Sequence, residues 1–289
     1  MGIIPQLIAN SIIAGSTYAL VAVSFNLVYG VSRAFNLAHG ILGTVAAYMV
    51  FFLAEQNGVP LAAAIPLGIA AAALAGWLLE LYVFRPLRER KVIDKVLIIA
   101  SLGVSVAVEG IVAILFTNQY QSIANLIPHL GILKVGGAAV TSVQALIIVC
   151  ALLTLVGFWL MLSYTRFGRA ARAIADDEEV AKIVGINTPR IIAFIAVIGA
   201  AVMGLTGILA GFDTGLEPNM GFLLLLDGAI AAVVGGIGNI YGAFIAAYLL
   251  GFAENFGVWF VSGEWKYAIA FLALILCLLF RPQGILGRK

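Results

Sequence analysis

Ser163 to Pro189 reads SYTRFGRAARAIADDEEVAKIVGINTP. It is the longest polar interval in a very apolar chain. Arg166, Arg169, Arg172, Lys182, Asp176, Asp177, Glu178 and Glu179 stand within it, eight of the chain's thirty charges. Charges this dense cannot face lipid, so the segment 164–189 lies in water. Its local chemistry predicts two short helices. Arg169 to Ala175 consists of good helix formers. Asp176 is the expected N-cap, with Glu179 at the capping-box spacing. The second helix then runs to about Val184, with Val180, Ala181, Ile183 and Val184 as its apolar positions. Gly185 suits a C′ residue in the left-handed conformation. Thr188 is expected to cap the next helix, and Pro189 to start it. Such a segment is either a plain solvated loop or an amphipathic helix pair that docks on a soluble partner. If it docks, the apolar side with Val180, Ala181 and Val184 is the expected contact face.

Outside this interval the sequence is close to continuous apolar runs. Of 289 residues, 63% are hydrophobic and 10% charged, where soluble domains carry about 25% charged residues. Mean hydropathy is +1.11. A spanning helix needs about 20 apolar residues. The fold class is therefore all-α, a polytopic helical membrane protein, and residues 1–289 read as a single transmembrane domain. The N-terminal MGIIPQLIANSIIAG lacks a basic n-region and reads as a retained first span. Cys150 and Cys277 both fall inside spans, and neither a structural disulfide nor a metal site is expected from their spacing.

About nine spans are expected, within a range of eight to ten. They cover approximately 3–29, 36–53, 61–84, 96–116, 142–163, 190–212, 221–234, 243–261 and 265–280. The second and seventh are short enough to be broken or re-entrant. RPLRERKVIDK at 85–95 reads as a basic loop. Residues 118–141 form a longer, weakly charged loop with Pro128 and the pair Gly136–Gly137. GGIGNIYG at 235–242 breaks the chain between two spans, and its glycine spacing does not match a phosphate-binding loop.

Orientation follows from Lys and Arg, which concentrate on the cytoplasmic side. With nine spans and a cytoplasmic tail, the N-terminus is outside. The inside loops then carry Arg33, the basic loop, the opening segment and Arg190, and the tail with Arg281, Arg288 and Lys289. Only Lys134 and Lys266 fall outside. The opening segment is thereby placed in the cytoplasm.

Small residues punctuate the sixth span, with Gly207 and Gly211 in GxxxG spacing. Close packing within the chain is the expected reading, ahead of a dimer face. Acids within or beside spans invite a functional reading, because a mid-membrane charge costs at least about 2.5 kcal/mol. Glu80 is close enough to the basic loop to pair with it, and Glu254 is a fourth such acid. Glu109 and Asp227 sit deeper and are candidates for lining a translocation pathway, or else for helix-to-helix hydrogen bonding. Asn10, Asn26, Asn36 and His39 make a second polar series, in which Asn36 and His39 can share a helix face. They line a cavity or stabilise a turn. No catalytic cluster is visible. His39 and His129 are far apart, no HExxH occurs, and GxxxxGK[ST] is absent, so any use of ATP belongs to a partner.

The opening segment resembles a signature of permease subunits of bacterial ABC importers, EAA-x3-G-x9-I-x-L-P, located about 100 residues from the C-terminus. Glu179-Val180-Ala181 is followed at that spacing by Gly185 and Ile195, while Val197-Ile198 stands where the signature has Leu-Pro. NSIIAGSTYALVAVSFNLVYGVSRAFNLAHG, GRAARAIADDEEVAKIVGIN and VVGGIGNIYGAFIAAYLLG extend the likeness over essentially the whole chain. They resemble the branched-chain amino-acid ABC transporter permease family (LivH-like), whose motifs are shared with permeases for urea or short amides.

The resemblance implies an ABC importer permease fold and a role in amino-acid transport without chemistry or cofactor of the chain's own. It makes 164–189 a cytoplasmic coupling loop, with Glu179, Val180, Ala181, Val184 and Gly185 as ATPase-coupling residues. It further implies a homologous second permease subunit, two cytoplasmic ABC ATPases, an external soluble substrate-binding protein, and a place in the bacterial inner membrane. A urea or short-chain amide permease is the alternative of the same class, and a passive channel the alternative of another. A channel has no need of a coupling loop.

Overall fold

The computed structural model describes residues 3–126 and 131–287. Its helices are α1 (Ile3–Ser32), α2 (Leu37–Gln56), α3 (Leu61–Glu89), α4 (Asp94–Phe116), α5 (Ser142–Tyr164), α6 (Arg166–Asp176), α7 (Glu178–Ile183), α8 (Thr188–Thr214), α9 (Met220–Gly235), α10 (Ile240–Phe260) and α11 (Gly263–Phe280). Eight of the described helices are long and apolar enough to cross a membrane. The ninth expected span is α9, apolar but only 16 residues long.

Several elements differ in detail from the sequence reading. The basic loop is helical through Glu89, because α3 continues over Glu80–Phe84 as a π-turn and over Arg85–Glu89 as α-helix. Only the residues after it turn. Wide π-turns also end α2, over Phe51–Gln56. The long loop after α4 contains a hairpin of β1 (Ile132–Val135) and β2 (Ala138–Thr141), paired antiparallel. Gly136 and Gly137 make its two-residue turn with φ of +57° and +89°, the positive values a hairpin turn of this length requires. Pro128 and His129 lie outside the described residues.

The chain divides into two compact units. One contains residues 1–26, 127–155 and 226–289. Here the hairpin is held to the start of α1, where Gln6 exchanges hydrogen bonds of 2.9 and 3.1 Å with the backbone of Ala139. The glycine-rich break between α9 and α10 is tied down from three directions. Asn26 donates to the carbonyls of Gly236 and Asn239 at 3.3 and 3.1 Å and accepts from Gly238 N–H at 3.0 Å. Asn239 caps α10 by accepting from Tyr241 and Gly242 N–H. The segment after α11 folds back, with Ile285 and Leu286 N–H donating to Val234 and Gly235 carbonyls at 2.8 and 3.1 Å.

The other unit contains residues 27–126 and 156–225. Its centre is the packing of α2, α3 and α8. Small side chains bring these backbones together: a Cβ on Gly207 would lie 2.2 Å from the Gly43 carbonyl oxygen, and one on Gly204 would lie 2.6 Å from Ala72 Cβ. Dispersion and close approach drive such contacts where lipid is as apolar as the side chains. Gly207 of the GxxxG pair therefore packs within the chain, as expected. Glu80, also in this unit, is 5% exposed and ion-paired with Arg88, the pairing the sequence suggested.

Candidate functional site

The helix pair α6–α7 belongs to the second unit, and each of its ends has a local cause. Thr165 precedes α6 and accepts from Gly168 N–H at 2.9 Å. Gly168, Ala171 and Ile174 form the buried stripe of α6, while Arg166, Arg169 and Arg172 are exposed. Gly168 is required by proximity, since a Cβ there would lie 2.1 Å from the Met161 carbonyl oxygen. Phe167 meets Phe194 of α8 edge-on at 6.2 Å.

The cap of α7 is Asp177, and Asp176 is the last residue of α6. Asp177 Oδ1 accepts from Glu179 and Val180 N–H at 2.9 and 3.0 Å. The capping-box spacing to Glu179 points to Asp176, and the structure corrects that expectation by one residue. The chain is extended at Asp177, with φ −152°, and an N-cap needs that non-helical backbone. Glu178 and Glu179 open α7 and Lys182 lies in its last turn, with Lys182 Nζ 2.8 Å from Glu178 Oε1. These charges match the helix dipole.

The other end of α7 is a Schellman closure. Gly185 N–H donates to Lys182 carbonyl at 3.1 Å and Ile186 N–H to Ala181 carbonyl at 3.0 Å. Gly185 has φ +86°, the left-handed conformation expected of it. The next cap is Asn187, which accepts from Arg190 N–H at 3.2 Å, and Thr188 is the first residue of α8. Thr188 was the expected cap. Its buried side chain (1% exposed) turns inward.

Between these two closures α7 presents apolar side chains to the outside. Val180 is 54%, Ile183 83% and Val184 68% exposed. Ala181, expected on the same face, is 2% exposed and packs inward. Ile183 takes its place on the outer face. The apolar content of α7 was legible in the sequence, but a six-residue helix is too short for its period to say which side is buried. Glu179 is exposed beside Val180.

Of the candidate pathway residues, Asn36, His39 and Glu109 belong to the second unit and Asp227 to the first. Asn36 lies just outside the turn Leu37–His39, in extended conformation, so it does not share a helix face with His39. Its Oδ1 is buried without a hydrogen-bond partner, and His39 is 2% exposed. Next to them, Leu37 N–H donates to Ser101 Oγ of α4 at 3.0 Å. Ser105 and Glu109 follow Ser101 at intervals of four along α4, so the three lie along one stripe. Glu109 is half-buried. Asp227 belongs to the first unit and is 4% exposed. Its neighbours include Tyr18 and Lys266, which the sequence reading did not single out. Asn26, from the same polar series, is the loop clamp described above. Asn10 accepts from Gln6 Nε2 at 3.0 Å. Asn26 therefore does structural work, while Asn10 is exposed.

Comparison with known proteins places this geometry in context. The profile of a family described as "Branched-chain amino acid transport system / permease component" matches residues 7–278. The high-affinity branched-chain amino acid transport system permease protein BraD of Pseudomonas aeruginosa is 36% identical, over 98% of this chain and 95% of its own length. The corresponding protein LivH of Escherichia coli K12 is 34% identical over the same shares. Among solved structures, PsaBC from Streptococcus pneumoniae in complex with Fab is similar with a TM-score of 0.51 and 14% identity. The match covers 98% of this chain and 93% of that one. At that identity the likeness is one of fold.

Proposed function

We propose the following role for this chain, which belongs to the family of permease components of branched-chain amino acid transport systems: it carries branched-chain or related amino acids across the membrane. As a permease of the ABC importer type it is a transporter subunit and not itself an enzyme. It works by alternating access, with energy from ATP hydrolysed elsewhere. Its proposed companions are a homologous second permease subunit, two cytoplasmic ABC ATPases and an external soluble substrate-binding protein. Its proposed place is the bacterial inner membrane, N-terminus outside and C-terminus in the cytoplasm. Fourteen of the sixteen Lys and Arg then fall inside, as the charge rule favours.

One observation carries the coupling assignment. Val180, Ile183 and Val184 are exposed on a short helix whose two ends are locked by Asp177 and Gly185. A water-exposed apolar face held this rigidly suits docking, since little ordering entropy remains to be lost on binding. A substrate path that includes Asn36, His39, Glu109 and Asp227 belongs to the same proposal.

The test is transport by the chain reconstituted in liposomes with the subunits that co-purify with it. ATP-dependent uptake of leucine, isoleucine or valine, and none of urea, is the expected result. Uptake that persists without ATP would replace the importer with a channel. ATP-dependent uptake of urea or a short amide alone would move the substrate class.

A further inference from the structure

In the first unit, α1, α9, α10 and α11 bring together three buried side chains, Tyr18, Asp227 and Glu254, and the half-exposed Lys266 at the start of α11. Glu254 is 1% and Asp227 4% exposed. The Tyr18 hydroxyl donates to Glu254 Oε2. Lys266 Nζ stands 3.9 Å from the same oxygen and 5.5 Å from the centre of the Tyr18 ring. Tyr267 borders the cluster, its ring centre 6.0 Å from Lys266 Nζ. Asp227 lies within electrostatic reach of Tyr18, Tyr267, Glu254 and Lys266.

Two carboxyl groups here face one ammonium. A second, uncompensated carboxylate buried in the spans is costly, and two carboxylates in one site repel. The hydrogen bonds point the same way. Asp227 Oδ1 and Glu254 Oε1 are buried with no partner, while the Tyr18 hydroxyl proton is already committed to Glu254 Oε2. Both orphan atoms can only accept if both acids are ionised. One added proton balances the charge and turns one carboxyl oxygen into a donor.

We propose that Asp227 and Glu254 hold one proton between them, making the cluster with Tyr18 and Lys266 a neutral proton-binding site inside the spans. The proton belongs to the pair and not to one named acid. Asp227 also belongs to the proposed substrate path, but the proton site stands on burial, charge and hydrogen bonding alone.

Infrared spectroscopy of the full chain in lipid nanodiscs at neutral pH tests this. The wild type is expected to show the C=O stretch of a protonated carboxylic acid, shifted in heavy water. Asp227→Asn and Glu254→Gln should each abolish it, because the remaining acid then pairs with Lys266. Lys266→Met should strengthen it, as the second acid also takes up a proton. Glu109→Gln should leave it in place. A wild-type spectrum without the band overturns the proposal before any variant is needed. A band that survives Asp227→Asn or Glu254→Gln, fails to grow in Lys266→Met, or disappears in Glu109→Gln also overturns it.

Discussion

The guanidinium of Arg33 donates to the carbonyl oxygen of Ala175, tying the turn after α1 to the last turn of α6. A cation at a helix C-terminus meets carbonyls that have no partner within the helix. Ala175 lies just before the junction of α6 and α7. Arg33 therefore braces the helix pair from outside its own sequence. Arg33→Ala should lose about 1 kcal/mol locally. Amide hydrogen exchange should quicken across residues 166–184, with little change elsewhere. Unchanged protection there would show that the contact carries no weight.

Gly185 tests the closure of α7. Nothing lies within 4 Å of a Cβ placed there, so its requirement is the φ of +86° alone. A non-glycine residue in this conformation costs about 1–2 kcal/mol. Gly185→Val should reduce uptake and stimulated ATPase activity while membrane insertion stays intact. Gly185→Asn should be milder, because asparagine tolerates this conformation. Equal activity of Gly185→Val and wild type would remove the closure from the coupling account.

Ile183 and Ala181 make a paired test of the outer face of α7. Ile183→Asp should leave the thermal stability of the isolated chain within about 0.5 kcal/mol, as surface substitutions do. It should nonetheless lower ATPase stimulation in the assembled transporter. Ala181→Leu should destabilise the chain by about 1–3 kcal/mol, through overpacking. A stable Ala181→Leu, or an Ile183→Asp with full stimulation, would mean that the two sides of the helix are assigned the wrong way round.

Glycines in the spans should divide by what their missing Cβ would meet. Gly207→Ala forces a Cβ to within 2.2 Å of the Gly43 carbonyl oxygen, so α8 must move and the melting temperature should fall. Gly103 on α4 has nothing within 4 Å of that position. Gly103→Ala should stabilise by about 0.5–1 kcal/mol through helix propensity. Thermal unfolding of the two variants in one detergent compares them directly.

Glu109 is half-buried and is proposed to line the path. Glu109→Gln is expected to change the KM or rate of uptake while leaving thermal stability unchanged. Identical transport kinetics with altered stability would make it a helix-packing residue instead.

The sequence by itself determined where the chain crosses apolar space. Hydropathy is local and additive, so the spans near 61–84 and 142–163 appear as α3 and α5 with ends displaced by a few residues. The tight turns were legible for the same reason: Gly185 and the break at 235–242 depend on the φ of single residues. The tertiary structure decided which residue acts where the local pattern pointed to another. Asp177 and not Asp176 caps α7, because the backbone is extended there. Ile183 and not Ala181 faces out, because α6 and α8 set the rotation of a helix too short to show a period. It also decided the partners of the polar groups. Tyr18 meets Glu254 across 236 positions of sequence, and Asn26 reaches the loop at Gly236–Asn239. Such pairings rest on the close approach of helices through their small residues, and no local property of either partner encodes them.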